Sequence, residues 1–164
     1  MIRIAILTVS DSAANGTRED RSGPKLRERV EALGWLVCSY QIVPDESDEI
    51  SNILRKLADS GEASVILTTG GTGVALRDVT PESTRTVIER EIPGLGEVIR
   101  AEGRKVAPFA ALARGLAGIR GRTLIVNLPG SPKGAVESLD AIVNLIPHVV
   151  DLLEGRTAHA DVPN

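Results

Sequence analysis

Three stretches of the chain are apolar with little alternation: Ile2 to Val9, Val65-Ile66-Leu67 within Ser64 to Thr69, and Leu124-Ile125-Val126 within Arg122 to Asn127. Runs of this kind suit strands buried on both faces of a parallel sheet. Trp35 to Val43 reads as a further strand. Between the strands the apolar period changes from continuous to helical, with Leu26, Val30 and Leu33 in one segment and Ile50, Ile53, Leu54 and Leu57 in another. The first half is therefore β-α-β-α-β-α, the order that builds a right-handed parallel sheet and an α/β fold. Gly34 and Gly61 are placed to stop the first two helices. A third helix is expected from Thr80, as N-cap, to about Arg90, with Pro81 at its first position and Glu82 at the positive end of its dipole. Pro93-Gly94 separates it from a helical segment over Leu95 to Lys105, and Pro108 opens a short helical stretch through Leu112. Val136, Leu139, Ile142 and Val143 mark a long final helix.

The joint between the strand at Ser64 to Thr69 and its helix carries the most chemistry. Thr68-Thr69-Gly70-Gly71-Thr72-Gly73-Val74-Ala75-Leu76-Arg77-Asp78-Val79-Thr80-Pro81-Glu82 replaces side chains with bare backbone. Gly70, Gly71 and Gly73 are free to take positive φ, and their N–H groups are open to an anionic ligand. Arg77 and Asp78 put a cation beside a carboxylate at the carboxyl end of a strand, where open α/β sheets bind ligands. Arg77 is read either as a phosphate contact or as the ion-pair partner of Asp78. A second loop of the same kind, Leu128-Pro129-Gly130-Ser131-Pro132-Lys133, follows the strand at Arg122 to Asn127, and Ser131 and Lys133 stand at the start of the last helix, where backbone donors, a hydroxyl and an ammonium meet a phosphate or simply initiate the helix.

The remaining candidates have two readings each. Ser10 and Asp11 end the first strand, either as ligand contacts or as turn caps. Ser22 and Gly23, within Asp20-Arg21-Ser22-Gly23-Pro24, begin a helix with N–H groups for a phosphate, and Ser22 also makes an N-cap. Asp45 follows the second strand and is equally a helix N-cap. Glu97 and Arg100 are spaced for a helix-surface ion pair or for a pocket, and Arg114 shares that ambiguity.

Composition narrows the classes. The 164 residues suit one domain, 42% apolar and 25% charged, that folds on an aliphatic core. Trp35, Tyr40 and Phe109 are the only aromatics, the net charge is −3, and Lys and Arg are scattered. Nucleic acid is thereby disfavoured as a partner. No apolar run is long enough for a membrane span or a signal peptide, which points to the cytoplasm. Cys38, the one cysteine, is expected as a small buried hydrophobe. His148 and His159 lack the company of a metal site or dyad. Residues 155 to 164 read as a polar tail without periodicity. No Gly-x-Gly-x-x-Gly follows the first strand, so a dinucleotide-binding oxidoreductase is not expected.

The glycine loop, joined to Thr8-Val9-Ser10-Asp11, Asp20-Arg21-Ser22-Gly23-Pro24 and Asn127-Leu128-Pro129-Gly130-Ser131-Pro132, resembles the molybdopterin adenylyltransferase family, the MoaB/Mog-like domain. The resemblance spans residues 1 to 154 and includes Pro93 to Arg100 and Leu112-Ala113-Arg114. It implies a three-layer α/β/α fold with a mostly parallel central sheet, a homotrimer, and transfer of AMP from ATP to molybdopterin with Mg²⁺ and release of pyrophosphate, followed by handover to a molybdenum insertion protein. On that resemblance Asp78 and Asp45 are the catalytic and metal-binding carboxylates. Ser10, Asp11, Ser22, Gly23, Thr69, Gly70, Gly71, Thr72, Gly73, Arg77, Pro129, Gly130, Ser131 and Lys133 would bind substrate. Three other readings share the fold: a pterin-binding member without transferase activity, a domain like the competence/damage-inducible family acting on nucleotide pyrophosphates, and an interaction module like the amino-terminal domain of gephyrin.

Overall fold

The structure, a computed structural model, describes residues 1–156. Strands β1 (Arg3–Val9), β2 (Leu36–Val43), β3 (Val65–Thr69), β4 (Arg90–Glu91), β5 (Ala117–Arg120) and β6 (Thr123–Leu128) form one sheet in the order β2-β1-β3-β6-β5-β4. β2, β1, β3 and β6 run parallel, and β5 and β4 join antiparallel at one edge. Helices α1 (Asp11–Ala14), α2 (Ser22–Ala32), α3 (Ser47–Asp59), α4 (Thr80–Arg85), α5 (Pro93–Val106), α6 (Pro132–Ile142) and α7 (Ile146–Leu153) complete the chain, with a 3₁₀ turn at Pro108–Leu112.

Successive side chains of a strand point to opposite faces, and the two cores divide along that alternation. Ile4 and Ile6 of β1 pack with Leu67, Val126 and the inner faces of α2, α5, α6 and α7. Ala5, Leu7 and Val9 pack with Ile66, Ile125 and α3. Helices thus cover both faces of the sheet, the three-layer arrangement that the resemblance implies. Ile4, Ile6, Leu7, Ile66, Leu67 and Ile125 are wholly buried, each worth ~1.5–3 kcal/mol relative to exposure.

Several elements differ from the sequence reading. The helix that begins at Thr80 stops at Arg85 rather than near Arg90, because the chain turns toward the sheet edge, where Glu89 N donates to Ile119 O (2.8 Å) and β4 pairs with β5. β5 itself is short and contains Gly118, whose absent side chain makes room for β4: a Cβ there would lie 2.8 Å from Arg90 O. The final helix is two: α6 ends at Ile142, and Pro147, which has no N–H to carry a continuous helix through this point, stands in the first turn of α7. Thr80 is the first residue of α4 rather than its N-cap; Val79 holds that position and Thr80 Oγ1 donates to Gly70 O (2.9 Å).

Cys38 is exposed, not buried. β2 is the edge of the sheet, and its register against β1 slips between Ile4↔Val37 and Ala5↔Ser39, leaving Cys38 as the extra residue of a bulge. Its Sγ lies 3.3 Å from Ile4 O, and partial desolvation raises its pKa. His148 is exposed on α7, while His159 and most of the polar tail lie outside the described residues. Among the described residues no helix is long and apolar enough to cross a membrane.

Candidate functional site

β1 connects outward to β2, and the chain then returns past β1 to β3, so the loops after β1 and β3 diverge at the carboxyl ends of neighbouring strands. Such a switch point leaves a crevice for ligand in an open α/β sheet. Here it is lined by Ser10-Asp11 on one side and Gly70 to Gly73 on the other. The two loops approach so closely that a Cβ on Gly70 would collide with Val9 O, and Gly70 takes φ +103°. Gly71 takes φ +67°. Gly73 does not need positive φ; its missing side chain makes room for Asp78, whose Oδ2 would be 2.8 Å from a Cβ.

Of the two candidate metal ligands, Asp78 is on this loop and Asp45, which follows β2, lies against it. A Cβ on Gly71 would come within 3.0 Å of Asp45 Oδ1. Asp45 does not cap α3, whose N-cap is Glu46. Its Oδ2 accepts from Asp11 N (2.9 Å), and Asp45 N donates back to Asp11 Oδ1 (3.0 Å). Burial is the main reason that the Asp45 pKa is raised, and the negative charges of Asp11 and Asp78 add to it. Asp78 Oδ2 accepts from Ala75 N (2.9 Å), closing a short turn.

Arg77 does not pair with Asp78. Its guanidinium forks onto Asp11 (Nε–Oδ2 2.6 Å, Nη2–Oδ1 3.0 Å) and reaches Glu46 (2.7 Å) and Asp45 O (3.3 Å). This ties the loops after β1, β2 and β3 together. The Arg77 hydrogen bond, first, and that from Asp45 N hold the Asp11 carboxyl below its ordinary pKa. Ser10 caps α1, its Oγ accepting from Ala13 N (3.2 Å).

The loop after β6 closes the site from the other side. Thr69 Oγ1 donates to Pro129 O (2.6 Å), Gly70 N to Leu128 O (3.2 Å), and a Cβ on Gly130 would come within 3.3 Å of the Gly70 Cα. Ser131 caps α6 by accepting from Gly134 N (3.1 Å). Lys133 is exposed on α6, 3.7 Å from Glu137.

One expected phosphate cradle is already filled. Asp20 Oδ1 accepts from Ser22 N (3.0 Å) and Gly23 N (3.2 Å), so these N–H groups are not open to a ligand. The other oxygen of Asp20 accepts from Thr8 Oγ1 (2.7 Å) and from the Tyr40 hydroxyl, whose pKa burial and then Asp20 push up to about 12. Gly23 is required for packing: a Cβ would collide with the Tyr40 ring and meet Thr8 Oγ1 at 2.9 Å. Ser22 Oγ donates to Gly130 O, which joins α2 to the loop after β6. Asp20 is not among the functional residues expected from the sequence, although an aspartate two and three residues ahead of two helix-opening N–H groups is a capping spacing.

Glu97 and Arg100 form no ion pair; Arg100 Nη1 donates to Gly115 O (2.8 Å) and Ala113 O (3.5 Å). Among the described residues no acceptor engages the N–H groups of Gly71, Thr72 or Gly73. Beside these donors a groove of about 770 Å³ extends from Thr72 and Gly130 to Ile99, Val106 and Phe109 on α5 and the 3₁₀ turn. Donors without acceptors, two neighbouring carboxylates and an adjoining apolar groove suit a ligand with phosphates and a flat organic body.

Residues 5–148 match the model of a family described as a probable molybdopterin binding domain. The chain is 43% identical to a molybdopterin adenylyltransferase of Helicobacter pylori, covering 99% of this chain and 94% of that protein. It is 36% identical to a molybdopterin adenylyltransferase of Escherichia coli, over 94% and 86% of the two chains. Among solved structures, the molybdopterin biosynthesis enzyme MoaB of Thermus thermophilus superposes with a TM-score of 0.89 at 50% identity, covering 94% of this chain and 98% of that one.

Proposed function

The chain belongs to the molybdopterin-binding domain family of molybdenum cofactor biosynthesis, and from that premise we propose that it is a nucleotidyltransferase that moves AMP from ATP to molybdopterin. The observation that carries this reading is a glycine loop with Asp45 against Gly71, Asp78 against Gly73, and N–H groups at Gly71, Thr72 and Gly73 that no acceptor engages among the described residues. Adenylyl transfer asks little covalent help of a protein. An acceptor phosphate oxygen attacks the α-phosphorus, and the bond to the bridging oxygen of pyrophosphate breaks. Alignment of the two phosphates and neutralisation of the leaving group supply most of the rate.

The residues fit Mg²⁺. Asp45 is destabilised as an anion by burial and by the nearby charges of Asp11 and Asp78, a condition that a bound cation relieves. Among the described residues no cluster of three or more His, Cys, Asp or Glu is ready for a metal. Two carboxylates completed by phosphate oxygens and water are the usual company of this ion. Asp45 and Asp78 would hold it, and its charge would offset that growing on pyrophosphate. Arg77 engages both oxygens of the ionised Asp11, which leaves Asp45 and Asp78 as the carboxylates free for the ion.

The groove toward Phe109 takes the organic body of a substrate, and Ser131 and Pro129-Gly130 border its phosphate end. Ser10, Asp11 and Lys133 remain candidate substrate contacts outside the groove's lining. A cytoplasmic homotrimer that passes its product to a molybdenum insertion protein is the assembly that accords with this reading.

The test is pyrophosphate release from Mg²⁺-ATP with and without molybdopterin, together with mass detection of the adenylylated pterin. Pterin-dependent release with that product establishes the transferase. Tight pterin binding without product leaves a binding protein, and pterin-independent release leaves a nucleotide pyrophosphatase.

A further inference from the structure

The loop between Gly73 and Asp78 has little hydrophobic anchorage. Leu76 is fully exposed and Val74 is 70% exposed, so the segment that delivers Asp78 is held mainly by polar contacts. On its outer side Arg77 grips the loops after β1 and β2. On its inner side one residue, far along the chain, touches it at three points. Arg114 N donates to Thr72 O (2.9 Å), Arg114 Nε to Gly73 O (2.7 Å), and Arg114 Nη2 to Asp78 O (2.7 Å). The remaining nitrogen, Nη1, pairs with Glu82 on α4.

The two carbonyls bound by the fork bracket the Gly73–Asp78 loop, and engaging both fixes the distance across its mouth. Fixing Gly73 O toward Arg114 commits the peptide planes beside it. Fixing Asp78 O sets the direction in which the Asp78 side chain leaves the backbone. Arg114 is itself braced: Arg100 Nη1 holds Gly115 O, the buried Asn127 Oδ1 accepts from Leu116 N (3.3 Å), and a Cβ on Gly115 would collide with Asn127 O at 2.9 Å. The segment Ala113 to Leu116 is thus fastened to β6 and α5 before it reaches the glycine loop.

We propose that Arg114 is a positioning residue for adenylyl transfer: its guanidinium, by spanning Gly73 O and Asp78 O, sets the Asp78 carboxylate and the open loop N–H groups in register with Asp45. This deepens the function proposed above and rests on it. The role belongs to the planar fork and not to the charge. A lysine carries the same charge as a single point and does not bridge two carbonyls in fixed directions.

The test compares Arg114→Lys, Arg114→Ala and Glu82→Gln with the unaltered chain by backbone amide hydrogen exchange over residues 72–78 and by steady-state pyrophosphate release. Supporting arms of a metal or substrate site typically contribute ~10–100-fold to activity. The expected result is faster exchange in the loop and a kcat lowered by that factor in both Arg114 variants, with KM for molybdopterin within about two-fold. Glu82→Gln keeps the fork and should stay within about three-fold of the parent in kcat with loop exchange unchanged. Arg114→Lys with native exchange and native kcat overturns the proposal, as does a Glu82→Gln loss equal to that of Arg114→Ala. If the unaltered protein released no pyrophosphate, the functional reading would fail, while the exchange measurement would still decide whether the fork holds the loop.

Discussion

Asp11 and Asp45 exchange backbone hydrogen bonds, each carboxylate accepting from the other's N–H at 3.0 and 2.9 Å. The exchange locks the loops after β1 and β2 at the switch point, yet the two residues differ electrically. Asp11 is ion-paired with Arg77, which holds it ionised, whereas Asp45 is half-buried and faces the negative charges of Asp11 and Asp78. Its ionised form is disfavoured in the folded state. The resulting stability penalty is absent below the ordinary carboxyl value of 3.8 and grows as pH rises through the raised folded value. Asp45→Asn retains an acceptor for Asp11 N and removes the charge. It should therefore raise the thermal midpoint at pH 7 and in the absence of metal, with the gain fading as the pH falls below about 4, while turnover drops. A midpoint at pH 7 no higher than that of the parent contradicts this account.

Arg77 has the opposite sign. Because its fork lowers the Asp11 pKa, the stability it contributes is present above the ordinary carboxyl range and is lost as pH falls through the lowered Asp11 value. Arg77→Ala should lower the thermal midpoint at neutral pH. The deficit should shrink at acid pH, and also at high salt, since the Arg77 and Glu46 side chains are more than half exposed. Melting curves across NaCl concentrations measure it; a deficit independent of both salt and pH would mean that packing, not the fork, matters at this position.

Gly70 and Gly73 make a matched pair with different expected losses. Gly70→Ala forces an L side chain to φ +103° and drives a methyl into the Val9 carbonyl, a main-chain atom that cannot move aside without parting β1 from β3. The strain alone costs ~1–3 kcal/mol, and denaturant unfolding should record at least that. Gly73→Ala meets only the Asp78 carboxylate, which can rotate. It should leave the unfolding midpoint nearly unchanged and reduce turnover about ten-fold or more by shifting a group that must be well placed. Equal stability losses for the two variants would refute the distinction.

The glycine loop is legible in the sequence because its cause is local: a buried apolar run that stops at residues without side chains. The same holds for β1, β3 and β6. What is not legible depends on partners far along the chain. Arg77 beside Asp78 invites a neighbouring ion pair, but its carboxylate partner is 66 positions away at Asp11, and no periodicity reports that. The N–H groups of Ser22 and Gly23 look free until Asp20 folds back onto them. Cys38 sits in an apolar run, and its exposure follows from β2 being an edge strand with a bulge, a fact of strand order rather than of composition. β5 escapes notice because Gly118 weakens its strand character for the sake of β4 packing.

Asp78→Asn separates the architecture of the loop from its charge. The Asp78 side chain accepts from Ala75 N, and its backbone carbonyl accepts from Arg114; an asparagine oxygen keeps the first and the second is unaffected. The fold, the loop and the apolar groove should all persist, so the unfolding midpoint and molybdopterin affinity are expected near those of the parent. Removing one negative charge opposite Asp45 also eases repulsion, so the Asp45 pKa should move down toward the ordinary value. What disappears is half of the carboxylate pair that would hold Mg²⁺ against the leaving pyrophosphate. Charge stabilisation of that kind contributes several kcal/mol to a transition state, and at about 1.36 kcal/mol per ten-fold the loss in kcat is about 10²–10³. The measurement is pterin-dependent pyrophosphate release at saturating Mg²⁺-ATP, paired with pterin binding. Native turnover in a folded, pterin-binding Asp78→Asn protein removes Asp78 from the chemistry and leaves Asp45 as the sole carboxylate of the site.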